Sequence, residues 1–155
     1  MIVVIVSDSH GKAERMDEIL KRYPKADYYI HCGDFLLNQK DYPQFQIVRG
    51  NNDEINSFPE QLVLEIGKYR LLILHGHQYP SAKRDRQLIK LAKSLNVDVV
   101  CFGHTHVPRK EYLDSVLLLN PGALWRCNSR NGPSYAVLEV GDHLCAKICY
   151  FNESR

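Results

Sequence analysis

The chain opens on five consecutive β-branched residues, Ile2–Val6. A run with no polar face fits a strand buried on both sides, as in a parallel sheet. Past Gly11 the period changes. Ala13, Met16, Ile19, Leu20 and Tyr23 recur at helical spacing until Pro24 ends the pattern. Residues 27–32 and 46–49 read as two more strands, and the mixed stretch 35–45 as a short helix broken at Pro43. Gln61–Ile66 and residues 69–75 flank Gly67-Lys68, a hairpin signature. The strongest amphipathic pattern covers 85–96, with Leu88, Leu91, Ala92 and Leu95 on one face and Arg86, Lys90 and Lys93 on the other, read as solvated. Residues 97–102 form another apolar strand. Segments 109–112 and 116–119 pair around Asp114-Ser115, and 135–140 pairs with Leu144–Tyr150 across Gly141-Asp142. Between these pairs lie an Asn120-Pro121-Gly122 turn and a polar loop over 126–133. Strand–helix alternation followed by hairpins predicts one α/β domain over 1–155, with helices outside and sheet inside.

Composition narrows this reading. With 155 residues, 45% hydrophobic and 25% charged, the chain has ordinary globular values. No apolar run approaches the roughly 20 residues of a membrane span. Met1 is followed at once by a strand-like run, without the basic start and small-residue cleavage site of a secretory leader. A cytoplasmic protein is expected, with no membrane partner. The five cysteines are odd in number and form no C-x-x-C. They read as buried, reduced thiols rather than a disulfide framework or zinc ribbon. A net charge of +2 is uninformative about large partners.

The polar residues stand where apolar strands stop. Asp8 and His10 follow the first strand, Gly33-Asp34 the second and Gly50-Asn51-Asn52-Asp53 the third. His75-Gly76-His77 and Gly103-His104-Thr105-His106 follow two later strands. In open α/β sheets, ligands bind at the carboxyl ends of strands. Five of the seven histidines lie in these blocks; His31, inside a strand, reads as a core residue, and His143 as exposed in a turn. If Asp8-x-His10 and His104-x-His106 run extended, each pair points to one side of the chain. The pooled donors are Asp8, His10, Asp34, Asn51, His75, His104 and His106, a set of carboxylates, imidazoles and an amide oxygen without thiolate. Such a mixed N/O set suits Mn²⁺, Fe, Zn²⁺ or Co²⁺ rather than a structural zinc. Seven donors are too many for one tetrahedral ion and about right for two ions sharing a carboxylate. Arg49 and Arg109 flank two blocks and read as surface cations within reach of a phosphate.

These ordered blocks resemble the calcineurin-like metallophosphoesterase superfamily, whose pattern is D-x-H, G-D, G-N-x-[DE], H, G-H-x-H. The likeness covers Met1 to Gly122 and is closest to the small bacterial and archaeal phosphodiesterase branch. It implies a two-sheet β-sandwich flanked by helices, four layers in the order α-β-β-α. It also implies two divalent ions, Mn²⁺ being the first choice and Fe, Zn, Ni or Co compatible. One would be held by Asp8, His10 and His106, the other by Asn51, His75 and His104, with Asp34 between them. The implied activity is that of a phosphodiesterase acting through a hydroxide held between the ions. Asp34, Asn51, Asp53 and His77 would be the catalytic residues, and a small phosphate ester, nucleotides included, the substrate. Self-association is the remaining partner expectation. One position departs from the larger phosphatases of the superfamily: Asn52 stands where they carry the histidine that protonates the leaving group. His77 is then the substitute donor, with Asp53 orienting a ligand. The runner-up is a catalytically weak scaffold of the same fold, like the retromer scaffold subunit.

Overall fold

A computed structural model of the chain describes residues 1–152. It has two five-stranded mixed sheets. One sheet is built from β1 (Ile2–Val6), β2 (Tyr28–His31), β3 (Phe45–Ile47), β9 (Ser134–Val140) and β10 (Leu144–Tyr150), in the order β10-β9-β1-β2-β3. The second is built from β4 (Gln61–Ile66), β5 (Tyr69–Leu74), β6 (Val99–Cys101), β7 (Arg109–Leu113) and β8 (Val116–Asn120), in the order β4-β5-β6-β8-β7. Helix α1 (Ala13–Arg22) covers the outer face of the first sheet and α2 (Arg84–Leu95) that of the second. This is the α-β-β-α sandwich.

The unbroken apolar runs are explained by these layers. In β1, Val3 and Ile5 pack between the sheets, while Val4 and Val6 pack under α1 against Met16 and Ile19. In β5, Leu71 and Ile73 face the inter-sheet core, and Leu72 and Leu74 face Leu88 and Ala92 of α2. Side chains alternate with period two, so a strand between two apolar layers needs apolar residues at every position. Each such burial contributes about 1.5–3 kcal/mol.

Element bounds differ from expectation at places with local causes. Helix α2 begins at Arg84 and stops at Leu95, because Asn96 is left-handed (φ 54°) and its N–H turns back to the carbonyls of Ala92 and Lys93. The stretch 35–45 holds only a 3₁₀ turn, Gln39–Asp41, capped by Asn38 Oδ1 accepting from the Lys40 N–H at 3.0 Å. The β7–β8 hairpin turns on Asp114 and Ser115, both at positive φ, as a turn matched to strand twist requires. The thiol expectation needs correcting. Cys32, Cys101 and Cys149 are buried, but Cys127 is half-buried in the 126–133 loop and Cys145 is exposed on the edge strand β10. Burial pushes the Cys101 thiol up to about 12 and Cys32 well above its ordinary value. No helix among the described residues is long and apolar enough to cross a membrane.

Strands β1, β2 and β3 are mutually parallel, as are β5, β6 and β8. The loops that follow these six strands form one cluster. The Asp8 N–H bonds to the Gly33 carbonyl, the Gly103 N–H to that of His75, and the Leu124 N–H to that of Ser7.

Candidate metal centre

Asp8 is wholly buried, and its Oδ1 lies 3.1 Å from His106 Nε2, 3.6 Å from His10 Nε2 and 3.7 Å from His75 Nε2. Asp34 Oδ2 lies 3.3 Å from His75 Nε2 and 3.7 Å from His10 Nε2. The imidazoles come in two pairs, His10 with His106 and His75 with His104, each with ring centroids 5.2 Å apart. Asn51 Oδ1 sits 3.2 Å from His104 Nδ1. All seven donors drawn from the sequence are therefore brought together. Two subsets, Asp8–His10–His106 and Asp8–Asp34–His75, present donor atoms within 4.8 Å of one another.

The expectation of extended D-x-H and H-x-H segments is corrected. Asp8, His10, Asp34, His104 and His106 all have positive φ, between 44° and 69°. Left-handed backbone is uncommon outside glycine and concentrates at functional sites. The kinks follow from hydrogen bonds between loops: His10 N–H to the Asp34 carbonyl, and Gly11 N–H to that of Phe35. They also send His104 and His106 to different imidazole pairs rather than to one side. Two glycines make room. A Cβ on Gly50 would collide with the Asp34 carboxylate, and one on Gly103 with Ser7 Oγ and Asp8 Oδ2.

Neighbouring groups set the tautomers. His75 Nδ1–H donates to the Cys32 carbonyl at 2.8 Å, and His106 Nδ1–H to that of Arg126 at 2.6 Å. Each bond leaves an Nε2 lone pair aimed at the carboxylates, as metal-ligating histidines require. Asp8 Oδ1, His10 Nε2 and His75 Nε2 are buried without a hydrogen-bond partner. Three such atoms around two carboxylates carry the desolvation cost of unsatisfied polar groups. A divalent cation removes that cost, so these residues fit one.

Charge points the same way. Burial works to raise the Asp8 carboxyl, yet the nearby His10, His106 and His75 imidazoles and the Ser7 hydroxyl hold it far below its ordinary range. Asp34 is also lowered, burial opposing and His75 and Asn52 prevailing. Burial works to lower His75, but Asp34 and Asp8 raise it; His106 is raised chiefly by its bond to Asp8. His104 and His77 are lowered, chiefly by burial. The carboxylates are thus already ionised for a cation at neutral pH.

The remaining named residues take other places. Asn52 donates to both oxygens of Asp34, from its backbone N–H at 2.8 Å and its side chain at 3.0 Å. Asp53 accepts four backbone N–H bonds, from Asp34, Phe35, Leu36 and Gly50, at 2.8–3.3 Å. It ties the second and third loops together and has no free oxygen to orient water. His77 lies beside the cluster, its centroid 5.4 Å from His75 and 6.3 Å from His104. Neither arginine is a free cation: Arg109 binds Asp85 in bidentate fashion at 2.7 and 2.9 Å, and Arg49 pairs with Glu60 at 2.5 Å. His31 is buried with Nε2 at 2.9 Å from Ser9 Oγ, and His143 is exposed.

Three contributors escape a reading of motifs. Ser7 Oγ donates to Asp8 Oδ2 at 2.5 Å. Asn120 Nδ2 donates to the Gly103 carbonyl and to Thr105 Oγ1, both at 3.1 Å, and its Oδ1 accepts from Gly122 N–H. Trp125 N–H binds the Asp8 carbonyl at 3.2 Å. Only the asparagine of the Asn-Pro-Gly turn carries a sequence signal.

Comparison with known proteins agrees with this geometry. Residues 1–143 match the family model of the calcineurin-like phosphoesterase superfamily domain. "Probable metallophosphoesterase YsnB" of Bacillus subtilis is 36% identical, the match covering 99% of this chain and 92% of that protein. A Streptococcus pneumoniae protein described as a predicted phosphoesterase superposes with a TM-score of 0.88 at 28% identity, over 96% of this chain and 88% of that one. An archaeal phosphodiesterase superposes with a TM-score of 0.74 at 26% identity, over 96% and 100%. Zinc-complexed Vps29 of Entamoeba histolytica shares the fold, with a TM-score of 0.75 at 21% identity over 98% and 100%. The chain belongs to the calcineurin-like phosphoesterase superfamily.

Proposed function

We propose that the protein is a phosphodiesterase dependent on two divalent metal ions. The observation that carries this is the convergence of the buried, unpartnered Asp8 Oδ1, His10 Nε2 and His75 Nε2 on the Asp34 carboxylate. Asp8, His10 and His106 would hold one ion, and Asn51, His75 and His104 the other, with Asp34 shared. Bound there, divalent ions supply Lewis acidity toward phosphoryl oxygens and lower the pKa of water. Mn²⁺ is our first choice, and Fe, Zn, Ni and Co suit the same donors.

The chain's own residues orient and hold. The Cys32 and Arg126 carbonyls keep His75 and His106 in the tautomer that presents Nε2. Asn52 keeps both oxygens of Asp34 in place and is engaged there, so it does not reach a leaving group. His77, whose pKa burial lowers, serves as a hydrogen-bond donor to bound phosphate rather than as a strong acid. Hydrolysis exchanges one P–O ester bond for a bond to water oxygen, and the ester oxygen leaves as the alcohol. Without a strong acid at this position, the leaving oxygen departs with its charge largely uncompensated by the protein.

The same fold also serves Vps29, and that likeness supports the scaffold alternative as a likeness of fold alone. Donors at all seven positions support the enzyme, whereas metal binding alone does not separate the two readings, since Vps29 has been solved with zinc. The test is hydrolysis by Mn²⁺-loaded protein of methyl aryl phosphodiesters graded in leaving-group pKa. We expect a steep fall in rate as the leaving group becomes more basic. Asn52→His should gain on the poorest leaving groups, by less than the about 10²–10⁴-fold of a well-placed acid, because it also loses a bond to Asp34. A flat dependence in the unmodified protein would show that another residue donates the proton. No hydrolysis of any ester would favour the scaffold.

A further inference from the structure

One large feature is unused by this site. A cavity of about 770 Å³ lies between residues 36–39 and residues 53–58, the segments that continue directly from Asp34 and Asn52. That volume suits a small organic ligand. Its position is rigidly tied to the metal centre, because Asp53, on the cavity wall, binds the backbone N–H groups of Asp34, Phe35 and Leu36.

Chemistry limits the occupant. Leu36, Leu37 and Phe58 supply apolar wall. Leu36 is 44% exposed and held at φ 54°, where a bulky side chain is strained. Such strain persists only where surrounding bonds enforce it, here the Leu36 N–H bond to Asp53. The polar lining consists of amides, a hydroxyl and carboxylates. Asn38 spends its Oδ1 on the Lys40 N–H, which leaves its amide N–H₂ for a ligand. Gln39 and Glu54 line the cavity with side chains that form no bond among the described residues. No lysine, arginine or histidine lines it, whereas Asp53 and Glu54 do. A second phosphate is therefore disfavoured. A neutral group with flat apolar faces and hydrogen-bonding edges is favoured, and amide side chains are among the readers of base edges.

We propose that this cavity binds the nucleoside of a nucleoside phosphodiester whose single phosphate lies at the Asp8–Asp34–His75 cluster. This rests on the phosphodiesterase reading and narrows its substrate class. Gln39 and Asn38 face the base edge, Leu37 and Phe58 its apolar surface, and Glu54 accepts from a sugar hydroxyl.

The test compares two esters with one leaving group, thymidine 5′-(p-nitrophenyl) phosphate and methyl p-nitrophenyl phosphate, on Mn²⁺-loaded protein. The ratio of their kcat/KM values isolates the retained group. We expect a ratio of about tenfold or more, the worth of one or two added contacts, falling toward one in both Gln39→Ala and Glu54→Ala. Both residues are exposed, so the variants should fold. A ratio near one, or a high ratio untouched by either substitution, overturns the assignment. A second arm does not need turnover: thymidine 5′-monophosphate is titrated against Mg²⁺-supplied protein while backbone amide shifts are followed. Shifts centred on 36–39 and 53–58 support the cavity; shifts confined elsewhere, or none, overturn it. Equal hydrolysis of both esters would leave the phosphodiesterase reading standing and remove this inference. Shifts in the cavity without hydrolysis of either ester would do the reverse.

Discussion

At Asp34 three demands meet. Its backbone is left-handed, its N–H is held by Asp53, and its two oxygens take the Asn52 N–H groups on one side while Oδ2 faces His75 and His10 on the other. In the proposed two-ion centre, a carboxylate so fixed would offset repulsion between the dications. Asp34→Asn keeps shape and removes charge. It should cut diester hydrolysis by about 10²-fold or more and lower metal occupancy, measured by metal analysis of folded protein; unchanged turnover with full occupancy would contradict the role. His31 offers a test of a different kind. Its Nδ1 accepts from the Gly33 N–H, so Nε2–H donates to Ser9, whose hydroxyl donates on to the Phe35 carbonyl. Burial drops its pKa to about 3, from an ordinary 6.5. The folded state then binds fewer protons than the unfolded state between those values. Stability from neutral His31 is full above about pH 6.5 and is lost as pH falls toward 3, with a slope up to about 1.4 kcal/mol per pH unit. Denaturant midpoints of metal-free protein from pH 7 to 5 should fall more steeply than those of His31→Gln; equal slopes would refute this.

The elements separate what local sequence encodes from what it does not. Strands and helices follow from periodicity, because burial in layers demands apolar residues at every position of β1, at Leu71–Leu74 of β5 and on one face of α2. The gathering of the candidate donors is readable too, since these residues stand at strand ends. The conformation of the donor loops is not readable. Positive φ at Asp8, His10, Asp34, His104 and His106 is enforced by hydrogen bonds between loops far apart in sequence, and nothing local announces it. The part played by Asp53 is hidden for the same reason: an acidic residue beside a ligand reads as chemistry, and its four N–H partners appear only once the β2 and β3 loops are adjacent. Gly50 probes this packing. Its Cβ position overlaps both the Asp34 carboxylate and the Asp34 backbone nitrogen, which cannot swing away. Gly50→Ala should cost about 1–3 kcal/mol of stability and weaken Mn²⁺ binding. Urea unfolding with and without Mn²⁺ measures both, and an unperturbed variant would mean that the loops are looser than described.

Across the whole molecule, the sandwich is a frame for the ends of six strands, three parallel in each sheet. The first sheet supplies Asp8, His10, Asp34 and Asn51, the second His75, His104 and His106, so neither sheet alone completes the centre. The two imidazole pairs each join residues from different loops, and the orphaned donor atoms lie between them. This arrangement predicts two ions per chain, and activity that requires both. The direct measurement is a titration of metal-stripped protein with Mn²⁺, reading bound metal and hydrolysis of bis(p-nitrophenyl) phosphate together. Saturation is expected at two equivalents, with hydrolysis rising chiefly over the second. Saturation at one equivalent with full activity, or two bound ions with no hydrolysis, would contradict it.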